Sequence, residues 1–285
     1  MGKIGIIGGS GIYKMEGLKR LREVRVRTPF GAPSDTYKVG EINGVDVVFL
    51  PRHGSKHSIS PSEINYRANV FGMKILGVER LISVSACGSL KKELKPLDFV
   101  LPDQFVDRTN AGRQMSFFKG GIVGHVSFAD PVCADLARKI YETATSLRIN
   151  AHMGGTYLNM EGPAFSTKAE SHLYRSWGMD IIGMTNIAEA RLSREAEICY
   201  VTIAAVTDYD CWYESKESVT VEMVIANLNK NAENAKLLLR EAISNLGGQR
   251  SCACKEALKY AIVTSKEAIP RKIKKDLAPI IGKYM

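Results

Sequence analysis

Arg52, His53 and His57 stand together just past an apolar run, Val45 to Leu50. Arginine can grip a phosphate with two parallel N–H donors, and histidine adds a further donor, charged or neutral. The group therefore suits an anion, with an exposed basic loop as the plain alternative. Gly8-Gly9-Ser10-Gly11 ends another apolar run, residues 3–8. Its spacing matches neither G-x-G-x-x-G nor G-x-x-x-x-G-K-[ST]. It still offers backbone N–H groups and the Ser10 hydroxyl, which make either an anion nest or simply a tight turn. Ser85 and Thr185 would bring two more hydroxyl donors to the same anion, although each could equally be a strand-end cap.

Asp208 and Asp210 follow the most apolar run of the chain. Two residues apart on extended backbone, they share a face. A carboxyl group accepts from an exocyclic amine and, when protonated, donates to a ring nitrogen, so it can read both N6 and N7 of adenine. Capping the next segment is the ordinary alternative. Met160 to Ser166 adds an acid, Glu161, suited to ribose hydroxyls, and a ring, Phe165, on which a purine can stack. Ligands of open α/β sheets collect beyond the carboxyl ends of the strands, so these clusters could meet at one site.

The elements that would position them alternate in period. Residues 3–8, 45–50, 80–85, 180–184 and 198–207 read as buried strands. Helices are expected over 63–76 with Ser62 as cap, and from Asp130-Pro131 to Leu147. A third opens on the Thr167/Glu170 capping box and stops near Gly178, and a fourth covers 219–245. Gly247-Gly248 breaks that helix and another is expected from Cys252. The alternation predicts one α/β domain with a central sheet.

The 285 residues, 45% hydrophobic and 24% charged, have a globular composition. No apolar run reaches the roughly 20 residues of a membrane span. The first residues read as a strand and not a signal peptide, which points to the cytoplasm. Of the net charge of +9, residues 250–285 carry nine basic and three acidic side chains. That tail reads as a solvated helix, with nucleic-acid binding as its rival. Six cysteines without a secretory signal are expected reduced. Cys252-Ala-Cys254 is too tight for the usual zinc spacing and could form a strained redox pair.

IGIIGGSGIY, RHGSKH, SACGS, DQFVDRT, EGPAFSTKAES and VTDYDCW, in order from about residue 3 to 245, closely resemble the 5′-methylthioadenosine phosphorylases, within the trimeric purine nucleoside phosphorylases. The C-terminal Cys-x-Cys resembles their thermophilic archaeal branch. The resemblance implies a twisted mixed sheet flanked by helices, with residues 1–249 as catalytic domain and 250–285 as a basic helical extension packed on it. It implies a homo-oligomer, a trimer or a dimer of trimers, with no metal and no organic cofactor. The reaction implied is phosphorolysis of 5′-methylthioadenosine to adenine and 5-methylthioribose 1-phosphate, with inorganic phosphate as co-substrate. Adenosine would also react.

By motif, phosphate would be held by Ser10, Arg52, His53, Ser85, Ala86 and Thr185, and ribose would lie near Met184. The purine would meet Phe165, Ser166, Asp208 and Asp210, with Asp208 protonating N7. The methylthio group would meet Val221, Val224 and Ile225, with His125 from a neighbouring subunit. The partners implied are a nucleoside and phosphate, not nucleic acid and not a membrane. A broad purine nucleoside phosphorylase or a methylthioinosine phosphorylase is the near alternative. A nicotinamide oxidoreductase is the distant one, disfavoured by the glycine spacing. Cys133 and Cys199, placed at a helix start and in the last strand, could pair as a disulfide, as could Cys252 and Cys254.

Overall fold

The computed structural model describes residues 2–9, 12, 15–214 and 221–285, and for residues 221–225 the backbone alone. The chain runs β1 (Lys3–Gly8), β2 (Leu18–Val24), β3 (Tyr37–Ile42), β4 (Val45–Pro51), α1 (Tyr66–Ile75), β5 (Val78–Ser89), β6 (Phe99–Leu101) and β7 (Gln104–Arg108). It continues through α2 (Ala134–Ser146), β8 (Ala151–Met153), β9 (Thr156–Met160), α3 (Lys168–Ser176), β10 (Ile181–Gly183), α4 (Asn186–Glu195), β11 (Cys199–Tyr209) and α5 (Val221–Asn245). Two short helices, α6 (Arg271–Asp276) and α7 (Ala278–Ile281), close it. The expected single α/β domain with a mixed central sheet is what forms. Among the described residues no helix is long and apolar enough to cross a membrane.

Among the described residues all eleven strands join one sheet, in the order β2-β3-β4-β1-β5-β10-β9-β7, with β11 on β5 and β6, and β8 on β6. The central strands alternate faces. Val47 and Phe49 join the core under α2 and α5, while Val48 and Leu50 join the one under α1 and α4. The tail belongs to the second core: Leu258, Ile269, Leu277 and Ile281 are buried there.

Strand β5 is where the sheet divides. β11 pairs with it from Arg80 to Ser89. On its other edge β1 ends at the Ile7–Ser83 pair, and β10 begins antiparallel at Ile182–Gly88. Between those pairs, residues 84–87 have no strand on that side among the described residues. The sheet thus carries a gap at its centre, flanked by the ends of β1 and β10.

Several boundaries differ from the sequence reading, each because a distant partner overrides a local signal. Asp130-Pro131 does not start α2. The Cys133 N–H donates to Tyr200 O at 2.9 Å, which keeps the chain extended until Cys133 caps the helix. Asn65, not Ser62, caps α1 by accepting from Ala68 N, because Ser60 and Glu63 close a separate turn around Ser62. The 167/170 capping box forms as expected. Ala86-Cys87-Gly88-Ser89 continues β5 and is not a loop after it. The helix expected from Cys252 is one 3-10 turn, Ala253–Glu256.

Candidate active site

The gap in the sheet collects most of the anion-binding candidates. The Arg52 N–H donates to Gly8 O at 3.0 Å, tying the loop after β4 to the end of β1. The Ser85 hydroxyl, inside the gap, donates to Asn186 Oδ1 at 3.0 Å. The Thr185 hydroxyl, just past β10, points to the same oxygen at 3.3 Å. Thr185 is also the N-cap of α4, so the positive end of that helix faces the gap. Ala86 is exposed beside them, with no side chain beyond Cβ to obstruct an approach to the β5 backbone. Ser10 lies outside the described residues.

Arg52 departs from its expected use. Its Nε and Nη2 grip Glu189 at 2.6 and 3.2 Å, Nη2 also reaches Ser83 Oγ at 2.6 Å, and Nη1 donates to Val84 O at 3.0 Å. The two-donor fork therefore faces a carboxylate inside the protein and not an anion pocket. One Nη1 hydrogen is left for a phosphate. The side chain is 3% exposed and Glu189 is 1% exposed. Burial works against the charge, but the Glu189 carboxylate outweighs it and holds the guanidinium above its usual value.

His53 is also partly committed. Its Nδ1 lies 2.8 Å from Ile59 O, and a carbonyl can only accept, so Nδ1 carries the proton. Burial, with the Arg52 charge next, lowers its pKa to about 4, so the ring is neutral near pH 7 and Nε2 offers a lone pair. A neutral His53 can then accept from a protonated phosphate oxygen but cannot donate to the anion. His57 stacks on it, ring centroids 4.6 Å apart, and is itself exposed.

A network the sequence did not reveal lies behind the hydroxyls. Asn186 Nδ2 reaches Ser83 Oγ, Tyr200 OH and Thr202 Oγ1 at 2.8 to 3.1 Å, and Ser83 and Tyr200 both donate to Glu189 Oε2. All five side chains are buried. The available clue was weak: two polar residues, Asn186 and Glu189, interrupt the apolar face of a helix the sequence reading left unassigned.

Asp208 lies on β11, on the edge of β5 opposite the gap. β11 places it opposite Gly88, three residues beyond Ser85 and so about 10 Å along the strand. A register shift between Val206 and Asp208 interrupts the simple alternation that would set Asp208 and Asp210 on one face. Burial raises the Asp208 carboxyl above its ordinary value; the Thr207 hydroxyl bond opposes the shift and the nearby Asp210 charge adds to it. Asp210 is buried, its N–H donates to Ser89 O at 2.9 Å, and its Oδ2 has no hydrogen-bond partner among the described residues. An orphaned buried oxygen of this kind awaits a donor.

Ser166 is drawn toward Asp210 by the Cys211 thiol, which donates to Ser166 O at 3.3 Å. Phe165 beside it is 84% exposed, an aromatic face with little covering it. Met184 packs its sulfur against Gly162, where an added Cβ would lie 2.4 Å from it, so only glycine admits that contact. Glu161 does not stand free for ribose. It accepts from the backbone of Asn110 and Ala111 and from Arg113 Nε at 2.8 to 3.1 Å. Arg113, also missed from sequence, donates further to Met184 O and Glu161 O, and so fastens the loop at 110–113 to both sides of the site. His125 stands apart from this group. Its N–H donates to Ala261 O, and its side chain is exposed. Val221, Val224 and Ile225 begin α5, but their side chains lie outside the described residues.

Gly183 tests how tightly this frame is built. A Cβ there would sit 1.8 Å from the hydroxyl of the fully buried Tyr157 on the neighbouring strand. Gly183→Ala should cost about 2–3 kcal/mol through overpacking and shift Thr185 two residues on. Calorimetry should show the loss of stability, and the KM for phosphate should rise with it.

The chain belongs to the phosphorylase superfamily, whose family model matches residues 3–244. Within it, the chain is 56% identical over 282 residues to S-methyl-5′-thioadenosine phosphorylase of Geobacter sulfurreducens, covering 99% of both proteins. Among solved structures it matches a methylthioadenosine phosphorylase from an Antarctic soil metagenomic library with a TM-score of 0.94, 47% identity and 98% coverage of both chains. A double mutant of adenosine/methylthioadenosine phosphorylase from Schistosoma mansoni, in complex with adenine, matches with a TM-score of 0.83 and 37% identity over 91% of this chain and 96% of that one. The motif resemblance and these comparisons agree.

Proposed function

We propose that the chain phosphorolyses 5′-methylthioadenosine, releasing adenine and 5-methylthioribose 1-phosphate. The observation that carries this reading is the half-buried carboxyl of Asp208, its pKa raised by burial, on the strand beside the one that carries Ser85 and near the Thr185 hydroxyl after β10. A ribose lying over the gap would present its base to Asp208 and its opposite face to an anion.

The bond between C1′ and N9 breaks as the sugar gains oxocarbenium character. The electron pair leaves with the purine, and the Asp208 proton on N7 neutralises it. Phosphate then attacks C1′ from the other face. The Ser85 and Thr185 hydroxyls, the remaining Arg52 hydrogen and the α4 N-terminus hold it there, and its charge stabilises the cationic sugar. By the motif resemblance, Ser10 and the Ala86 backbone would add donors to the same anion. His53, neutral, accepts from the phosphate hydroxyl. Phe165 closes over the purine, Ser166 and Asp210 border it, and Met184 underlies the ribose. No metal or organic cofactor is required by these steps.

The apolar types of Val221, Val224 and Ile225 suit a methylthio group, a preference worth about 1–3 kcal/mol, so adenosine should react more slowly and not be refused. The Schistosoma relative carries both substrates in its name. His125 would act in a neighbour's site within a homo-oligomer. It shares its surface with Val123, Tyr260 and Val263, all exposed, and an apolar face of that kind is suited to a second copy.

The test is adenine release from 5′-methylthioadenosine with and without phosphate, with inosine in parallel. Phosphate-dependent release with little reaction of inosine supports the reading. Release without phosphate would make the chain a hydrolase. The pH profile adds a second check. The reactive form holds a proton on Asp208, so kcat/KM should fall as pH rises through its pKa. Asp210→Asn removes a charge that raises that pKa. The falling limb should therefore move to lower pH in the variant.

A further inference from the structure

Far from the site, at the opposite end of β11, four cysteines converge. The sulfur atoms of Cys133, Cys199, Cys252 and Cys254 all lie within 4.8 Å of one another, and Cys199 and Cys252 are 3.2 Å apart. All stand as free thiols, as the sequence reading expected by default, and the two pairs it allowed lie together in one four-way cluster. We propose that these four residues bind one Zn2+ as a closed tetrathiolate site that fastens the C-terminal extension to the sheet.

The dimensions fit. Zinc takes thiolate sulfurs at about 2.3 Å in a tetrahedron, whose edges are then about 3.8 Å. The observed spacing needs only small side-chain adjustments to reach it. Three of the four residues are buried and Cys252 is half-buried, and four sulfurs would fill the tetrahedron and leave no coordination position for water or substrate, as befits a structural site. Four thiolates and one dication leave a net negative charge. The Arg250 guanidinium, 3.9 Å from Cys199 Sγ, faces it.

The spacing argument against zinc concerned two ligands on one tight loop. Here Cys252 is extended, with ψ of 157°, so the two tail sulfurs reach the same side. Cys133 caps α2 and Cys199 opens β11, and the bond from Cys133 N to Tyr200 O holds them together. Binding converts four thiols to thiolates and releases up to four protons. No electrons move and no oxidant is needed, whereas two disulfides would require the removal of four electrons. The site is independent of the catalytic reading.

The protein should be produced in zinc-supplemented medium and purified without chelators. Elemental analysis should find about one zinc per chain. Cobalt exchanged for zinc should show the intense visible bands of tetrahedral cobalt and sulfur-to-cobalt charge transfer. Titrating the wild-type protein with an organomercurial should release zinc in step with four thiols, a readout that does not depend on any variant folding. Cys252→Ser with Cys254→Ser should abolish zinc retention, while Cys211→Ser, outside the cluster, should leave it intact. Zinc far below one per chain without cobalt bands would overturn the proposal. So would an intact mass, in the absence of reductant, lower by the hydrogens of two disulfides.

Discussion

Asp208→Asn should lower kcat/KM for 5′-methylthioadenosine by about three to four orders of magnitude and move the preference of the enzyme toward inosine. The loss follows because an amide can hydrogen-bond N7 but cannot give it a proton, so adenine must leave as an anion. The change of preference follows from polarity. In the proposed role, one carboxyl oxygen would accept from the 6-amino group of adenine and repel the O6 of a 6-oxopurine. The Thr207 hydroxyl donates to Asp208 Oδ1, and it would hold the carbonyl of the introduced amide in the same place. The amide N–H groups would then face the base and donate to O6. Steady-state kinetics with adenosine and inosine would measure both effects. An unchanged adenosine-to-inosine ratio would remove Asp208 from base recognition.

Glu189→Ala should be the most destabilising single substitution in the polar network. It leaves the Arg52 guanidinium, 3% exposed, without its two-pronged partner. Stranding a buried charge costs about 3–5 kcal/mol. For a domain of this size that lowers Tm by roughly 10 °C. The pair itself need not be stabilising against an apolar replacement. Glu189→Met combined with Arg52→Met should recover part of the loss, because no charge is then stranded. Glu189→Ala should also raise the KM for phosphate, since Arg52 sits beside the gap and would turn its freed donors elsewhere. Calorimetry on the three proteins would check this. A single-variant loss under about 1 kcal/mol would mean that water reaches Arg52.

The strands that frame the site were legible because each is a short apolar run, and burial on both faces demands that composition. So was the Thr167/Glu170 box, whose partners are three residues apart. What stayed hidden depends on residues far away in the chain. Glu161 reads as a free acid after a strand, yet its partner Arg113 lies 48 residues earlier. Arg52 reads as an anion clamp because Glu189, 137 residues later, leaves no local sign of its pairing. Asp130-Pro131 is a sound helix start by local rules, and a single bond from Cys133 to β11 cancels it. The cysteine spacing misled in the same way, since a rule for one loop says nothing of ligands gathered from a helix cap, a strand and a tail.

The Ser85 and Thr185 hydroxyls share one resting place, Asn186 Oδ1. Each has a single hydrogen and turns about one bond, so, if they bind phosphate as proposed, each would face either Asn186 or the anion. Engaging the anion leaves the amide oxygen with fewer donors, and that opposes part of the gain. On the proposed reading, affinity for phosphate would thereby be held down by the protein's own geometry. The same opposition would act on the phosphorylated sugar once formed: as the hydroxyls swing back to Asn186, two of its anchors would be withdrawn together. The side chain behind the site would thus act as a return spring, favouring turnover over retention.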